Sequence, residues 1–167
     1  MTERGPRFAA GRLRAVVLTL LAVVLAAAAA SLFWDSAGRR GAVRAGDDAA
    51  QAARDSIVAI LSYQPSTAQQ SLEAAARDRL TGKFLDDYTQ LIKTVVLPEA
   101  VGKRITATAE VPAAAVVSAD AHSVVVLAYI DQIMAVGSAA PTRTNSAVRV
   151  TMDNLDGRWL ISGFDPI

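Results

Sequence analysis

Tyr129 and Asp131 stand two residues apart in the apolar run 123–136. In a strand that spacing puts both side chains on one face. A carboxylate beside a phenol in an apolar pocket suits one kind of chemistry. The carboxylate removes a proton from carbon, and the phenol donates a hydrogen bond to the oxyanion that develops. Tyr88, 41 residues before Tyr129, is a second phenol that a helix could add. The plainer reading leaves Asp131 at a solvated strand end or against an arginine such as Arg149. Trp159 closes the run Asp156-Gly157-Arg158-Trp159. It is either a ring for stacking a ligand or a large core filler after an Asp-Gly turn. His122 follows Asp120 in an expected turn and reads as an exposed loop residue, with pH sensing as the sharper alternative.

Other chemistries are closed by composition. The chain has no cysteine, which removes disulfides, thiolate metal sites and cysteine nucleophiles. One histidine argues against a multi-histidine metal centre. No glycine-rich phosphate loop and no Ser–His–Asp set stands out. The sequence therefore leads us to expect no catalytic residue, no metal and no cofactor, and a protein that is not an enzyme.

The net charge of +1 hides an asymmetry. Arg4, Arg7, Arg12 and Arg14 face only Glu3 in the first 14 residues, whereas Asp35 onward carries 13 basic and 15 acidic residues. Nucleic-acid binding needs a concentrated basic face, which this body lacks. Lys103-Arg104 and Arg77-Asp78-Arg79 read as short solvated clusters.

These residues must be positioned by the elements around them. Residues 15–34, AVVLTLLAVVLAAAAASLFW, carry no charge. As a helix of 20 residues the run would span roughly 30 Å, the thickness of a bilayer core. Ala28-Ala29-Ala30 resembles a signal-peptide cleavage site, but a secretory apolar region is typically ~7–15 residues, shorter than this run. The reading is an uncleaved single-pass anchor. The arginines before it place residues 1–14 in the cytoplasm and the body outside the plasma membrane. Arg39, Arg40 and Arg44 follow the anchor and could meet lipid head groups. Residues 35–46, with Gly38, Gly41 and Gly46, read as a neck, and 47–167 as one domain.

Within that domain, Asp48 and Gln51 have capping-box spacing before a helix reaching about Ser62. Its expected face is Ala45, Ala49, Ala52, Ser56, Ile57 and Ile60. Pro65 ends it. Ser66 and Gln69 repeat the spacing for a second helix. Gly82 opens a third, with Phe84, Tyr88, Leu91, Ile92 and Val95 at helical spacing and Pro98 at its end. The period then changes. Ile105, Ala107, Ala109 and Val111 alternate with polar residues, and Pro112 marks an edge or a bulge. Ser118–Ala121 reads as a turn. Residues 123–136 are apolar on both faces and read as a central strand. A loop at 137–141, a strand at 144–153, a turn at Asn154–Gly157 and a last strand at 158–165 complete the chain. Helices first and strands afterwards imply an α+β domain, with about three helices on a curved, mostly antiparallel sheet of about four strands.

Leu80-Thr81-Gly82-Lys83-Phe84, Tyr88 four residues on, the strand Asp156-Gly157-Arg158-Trp159-Leu160-Ile161-Ser162 and the tail Phe164-Asp165-Pro166-Ile167 together resemble the Mce-associated membrane proteins of actinobacteria. The soluble part of that family is similar to the nuclear-transport-factor-2-like cone. The resemblance implies a non-catalytic accessory subunit of an Mce-type lipid importer of sterols or fatty acids. Its partners would be the substrate-shuttling proteins, the permease and membrane lipid, with self-association open. Read from the residues themselves, Tyr88, Tyr129, Asp131 and Trp159 are the candidates for ligand or partner contact. Two other readings accompany the cone. Conjugative secretion systems use similar single-pass cones as assembly subunits, and ketosteroid isomerases place an Asp base and a Tyr–Asp oxyanion hole in one.

Overall fold

The computed structural model describes residues 41–167. The expected tail, the anchor at 15–34 and the first half of the neck, 35–40, lie outside the described residues. Among the described residues, no helix is long and apolar enough to cross a membrane.

Three helical stretches precede four strands. Helix α1 occupies residues 41–61, α2 is Ala68–Arg79, and the third stretch comprises α3 (Gly82–Leu91), a π turn (Ile92–Val96) and α4 (Leu97–Gly102). The strands are β1 (Ile105–Ala119), β2 (Ser123–Val136), β3 (Thr142–Leu155) and β4 (Arg158–Pro166). They form one antiparallel meander in the order β1-β2-β3-β4.

The strand readings hold closely. β2 is internal, as its apolar run requires, but only one of its faces is buried. Val124, Val126, Ala128 and Ile130 are buried, whereas Leu127 and Tyr129 are exposed. Helices cover one side of the sheet only, so alternate residues of even the most apolar strand look outward. Pro112 lies on edge strand β1 at a register shift between Glu110 and Ala113, so both expectations for it are met. There it removes no ladder hydrogen bond. Asp156 and Gly157 both take positive φ, 53° and 81°, as a two-residue hairpin turn with the right twist requires.

The helices depart more from the sequence reading. Residues 41–46, expected in the neck, are already helical. Gly46 is buried where α1 packs on the end of β1, and a Cβ on it would fall at ordinary contact distance, 3.4 Å from Val116 and 3.5 Å from Ala119. The Ser66–Gln69 capping box does not form, because α2 starts one residue later than that box requires, with Thr67 at the N-cap and no side-chain cap. Asp48 and Gln51 sit inside α1, where the Gln51 amide instead bonds Asp55 at 3.1 Å. Pro98 does not end the third stretch. The π turn widens the helix so that the Leu97 N–H reaches back to the Ile92 carbonyl, and Pro98 falls in the first turn of α4, where its missing N–H is tolerated. The inserted residue also rotates the apolar face. Val96 and Leu97 pack on the core, while Leu91 and Val95, expected on that face, are exposed.

The core lies between α1 and the inner face of the sheet. Ala49, Ala53, Ile57 and Ile60 of α1 meet Val124, Val126, Val150, Met152 and Ile161, all buried. Each large side chain of that set contributes on the order of 1.5–3 kcal/mol of burial. Ser56 is buried in the same layer, and its hydroxyl has no hydrogen-bond partner among the described residues. An unsatisfied buried hydroxyl costs ~1–3 kcal/mol. Ser56→Ala is therefore expected to raise stability by about 1 kcal/mol, read as a higher urea midpoint at unchanged slope. An unchanged or lower midpoint would show that the hydroxyl is satisfied in solution.

Candidate functional site

The structure separates the residues that the sequence grouped. Tyr88 projects from α3 into the core, 8% exposed, and its hydroxyl donates to the Ile60 carbonyl at 2.7 Å. Phe84, one turn earlier, holds it at a ring distance of 6.1 Å and itself stacks on Phe164 of β4 at 5.8 Å. Burial, and after it the neighbouring Tyr63, push the Tyr88 phenol well above the ordinary 10.0. Burial likewise raises Tyr63. Tyr88 is a tie between α3 and the end of α1, with its one donor already used.

Tyr129 and Asp131 do share a face, but it is the outer face of the sheet, opposite Tyr88. Tyr129 is 53% exposed. The expected three-residue constellation therefore does not form. The cause is the pleat: with 124, 126, 128 and 130 committed to the core, 129 and 131 must point away. Arg149 is not the partner of Asp131 either, since the register sets it against Leu127 and Asp165. Asp131 instead accepts a hydrogen bond from the Asn145 side-chain amide, its cross-strand neighbour. Glu110 lies opposite it on β1.

Trp159 is half-buried and packs against the core, as its filler reading had it. Arg44 is exposed on α1, and Arg39 and Arg40 lie outside the described residues. His122 is exposed in the β1–β2 turn. Its backbone N–H and that of Ser123 donate to the Asp120 carboxylate at 3.0 and 2.8 Å, which holds that carboxyl below its ordinary value.

What the sequence reading missed is a surface. Register pairs Leu127 with Ala115, and Tyr129 with Ala113 and Ala147. Two exposed large side chains therefore rise on the outer face, Tyr129 between Ala113 and Ala147 and Leu127 between Ala115 and the exposed Arg149. The alternation of β2 could have revealed it, had the run not been read as buried on both sides. The inner edge of β1 is closed by other means. Tyr63 exchanges backbone hydrogen bonds with Ala107, the Ser62 hydroxyl accepts from Ala109 N–H at 2.9 Å, and the Arg54 guanidinium donates to the carbonyls of Val111 and Ala114 at 3.3 and 3.1 Å.

No family model matches the chain. Outer membrane protein Rv1973 of Mycobacterium tuberculosis is 50% identical over 147 residues, covering 88% of this chain and 91% of that protein. The chain belongs to the Rv1973 family. A second relative, uncharacterized protein Rv1362c of the same organism, is 38% identical over 158 residues, covering 91% of this chain and 70% of that protein. Among solved structures, the chain is similar to an IcmL-like type IV secretion system protein of Legionella pneumophila. The TM-score is 0.60 at 14% identity, over 71% of this chain and 90% of that one. It is similar to the VirB8 protein of Agrobacterium tumefaciens at TM-score 0.57 and 14% identity, over 70% and 88%. A nuclear-transport-factor-2-like protein of Salmonella enterica follows at TM-score 0.50 and 10% identity, over 71% and 89%. At such identities the likeness is one of fold, and the α+β cone is that fold.

Two outcomes are expected for this family member. Tyr88→Phe should lose about 1 kcal/mol at neutral pH, in urea melts. Because the folded state holds the Tyr88 proton more tightly, wild-type stability should be full below 10.0 and fall as pH rises above it, a decline that Tyr88→Phe should blunt. Asp120 has the opposite sign. Its lowered value means the turn is supported while the carboxyl is ionised and weakened as pH falls through the carboxylate range. NMR titration should place its midpoint below that of an unstructured aspartate.

Proposed function

We propose that this protein is a non-catalytic assembly subunit of a transport machine in the cell envelope. The apolar run at 15–34 holds it at the plasma membrane with the cone outside the cytoplasm. The observation that carries this reading is the outer sheet face, where Leu127 and Tyr129 stand exposed over Ala113, Ala115 and Ala147. A strip of that kind suits a protein partner. The concave side is by contrast filled by α1, and Tyr88 has its hydroxyl bonded inside. The separation of Tyr88 from Tyr129 and Asp131 speaks against an isomerase-like site. The name of Rv1973 supports an envelope location.

Two machines each have an observation in their favour. The fold shared with the IcmL-like and VirB8 proteins supports an assembly subunit of the conjugative secretion kind. The residues of 80–84, Tyr88 and the 156–167 end support an accessory subunit of an Mce-type lipid importer, docked to its permease and substrate-shuttling proteins. The structural neighbours weigh toward the first and the residue pattern toward the second. In both, the work is done by protein contact.

The test is a tagged pull-down of the full chain from mild detergent extracts of its native membrane, read by mass spectrometry. Wild type is compared with the double variant Leu127→Asp, Tyr129→Asp. Co-purification of secretion components would support the first machine, and of Mce subunits and permease the second. In either case the double variant should lose its partners several-fold while keeping the wild-type melting temperature. Recovery of the bait alone, or a double variant that captures partners as well as wild type, would overturn the outer face as the working surface.

A further inference from the structure

A second exposed apolar cluster lies at one end of the cone, where α1 begins. Helix α1 runs antiparallel to β1 along the sheet edge. Gly46 sits by Val116 and Ala119, Arg54 reaches Val111 and Ala114, and Tyr63 pairs with Ala107. The start of α1 and the end of β1 therefore share one end of the domain. An apolar cleft of about 240 Å³ opens there, lined by Ala42, Val43, Gly46, Asp47, Val116 and Ala119. Val43 is 65% exposed beside it. The register shifts between Val116 and Ser118, so Val117 is a bulged residue without a cross-strand partner, and it is 62% exposed.

The length of chain before this end says what it can meet. Seven residues, 35–41, separate the last residue of the apolar run from Ala42. They can span at most roughly 25 Å when extended, and about 11 Å as helix. A head-group layer occupies roughly 5–8 Å on each side of the hydrocarbon core. Residues 42–61 of α1 measure about 30 Å, so the opposite end of the cone lies that much further along the helix. The end that the tether holds nearest the bilayer is the end with Val43, Val116 and Val117 uncovered.

We infer that this end of the cone is a lipid-contacting surface, with Val43, Val116 and Val117 inserted among the head groups beside the anchor. The inference rests on the reading of 15–34 as a membrane anchor. Asp47 lines the cleft, Asp48 and Asp120 lie near it, and Arg44 is the exposed cation of this part of α1. The cone's own contact is accordingly apolar, any attraction to anionic lipid coming from Arg39 and Arg40 of the tether, and it holds on zwitterionic bilayers and at high salt. Docked this way, the cone would stand on the membrane with its outer sheet face turned sideways.

The cysteine-free chain makes the test direct. Single-cysteine variants of the full chain, Ala22→Cys, Val43→Cys, Val117→Cys and Val101→Cys, are labelled with an environment-sensitive fluorophore. They are reconstituted into phosphatidylcholine vesicles with and without doxyl-labelled lipid. Val101 is the control: it is 60% exposed, matching Val117, but precedes the start of β1 at the opposite end. The expected result is quenching at positions 22, 43 and 117 several-fold greater than at 101, with blue-shifted emission at 43 and 117 that high salt does not reverse. Quenching at 22 with none at 43 and 117 beyond that at 101 would overturn the lipid contact and leave the anchor standing. Equal quenching at 101 and 117 would mean the cone lies flat, which also overturns it. No quenching at 22 would remove the anchor reading and the inference with it. Loss of contact when salt is raised would replace apolar insertion by charge attraction.

Discussion

The structure depends on one packing contact: α1 laid along the inner face of the sheet beside its edge strand. Small residues make the approach close. Ala49 and Ala53 are fully buried on α1, and Gly46 is buried against Val116 and Ala119. Where α1 passes the free edge of β1, polar groups from it and the turn after it take up backbone groups that the missing fifth strand would have bonded. Arg54 does so at the Pro112 bulge, where the ladder is broken, and Ser62 and Tyr63 do so below it. An edge that would otherwise invite another strand is thereby closed over 107–114.

That contact decides what the protein can do chemically. A cone lined by a sheet can hold a ligand only where helices leave space. Here Ile57, Leu72, Val126, Val150, Met152 and Ile161 are fully buried between the layers, and Tyr88 spends its hydroxyl on the Ile60 carbonyl. The polar groups that could have cooperated across a pocket are distributed to opposite sides of the sheet. What faces outward is apolar surface in two places, the strip of Leu127 and Tyr129 and the bare end at Val43, Val116 and Val117. On the readings proposed above, the first would meet protein and the second lipid. The two uses are compatible, because the strip lies along the strands and the bare end at their tip.

The four strands were legible in the sequence nearly to the residue. Alternation set β1, Pro112 announced its bulge and its edge position, and Asp156-Gly157 fixed the last hairpin, because each signal acts through backbone geometry within a few residues. Helix boundaries were less legible. Capping-box spacing at Ser66–Gln69 went unused because the chain before α2 turns for one more residue, Thr67. Pro98 looked like a stop and became the start of α4, since one widened turn upstream changed which N–H was needed. Neither effect has a local residue signature.

The sequence by itself determined the order of elements, the sheet register at its turns, and the exclusion of thiol and multi-histidine chemistry. These follow from composition, period and turn residues, which act over short separations. The tertiary structure alone decided which face of β2 is buried, that Tyr88 and Tyr129 point to opposite sides, and that Gly46 is a contact residue rather than part of a neck. Each of these depends on where α1 lies relative to the sheet. That placement is set by packing between residues some 50 to 70 positions apart, such as Arg54 with Val111 and Leu61 with Gln132, and no local pattern encodes it.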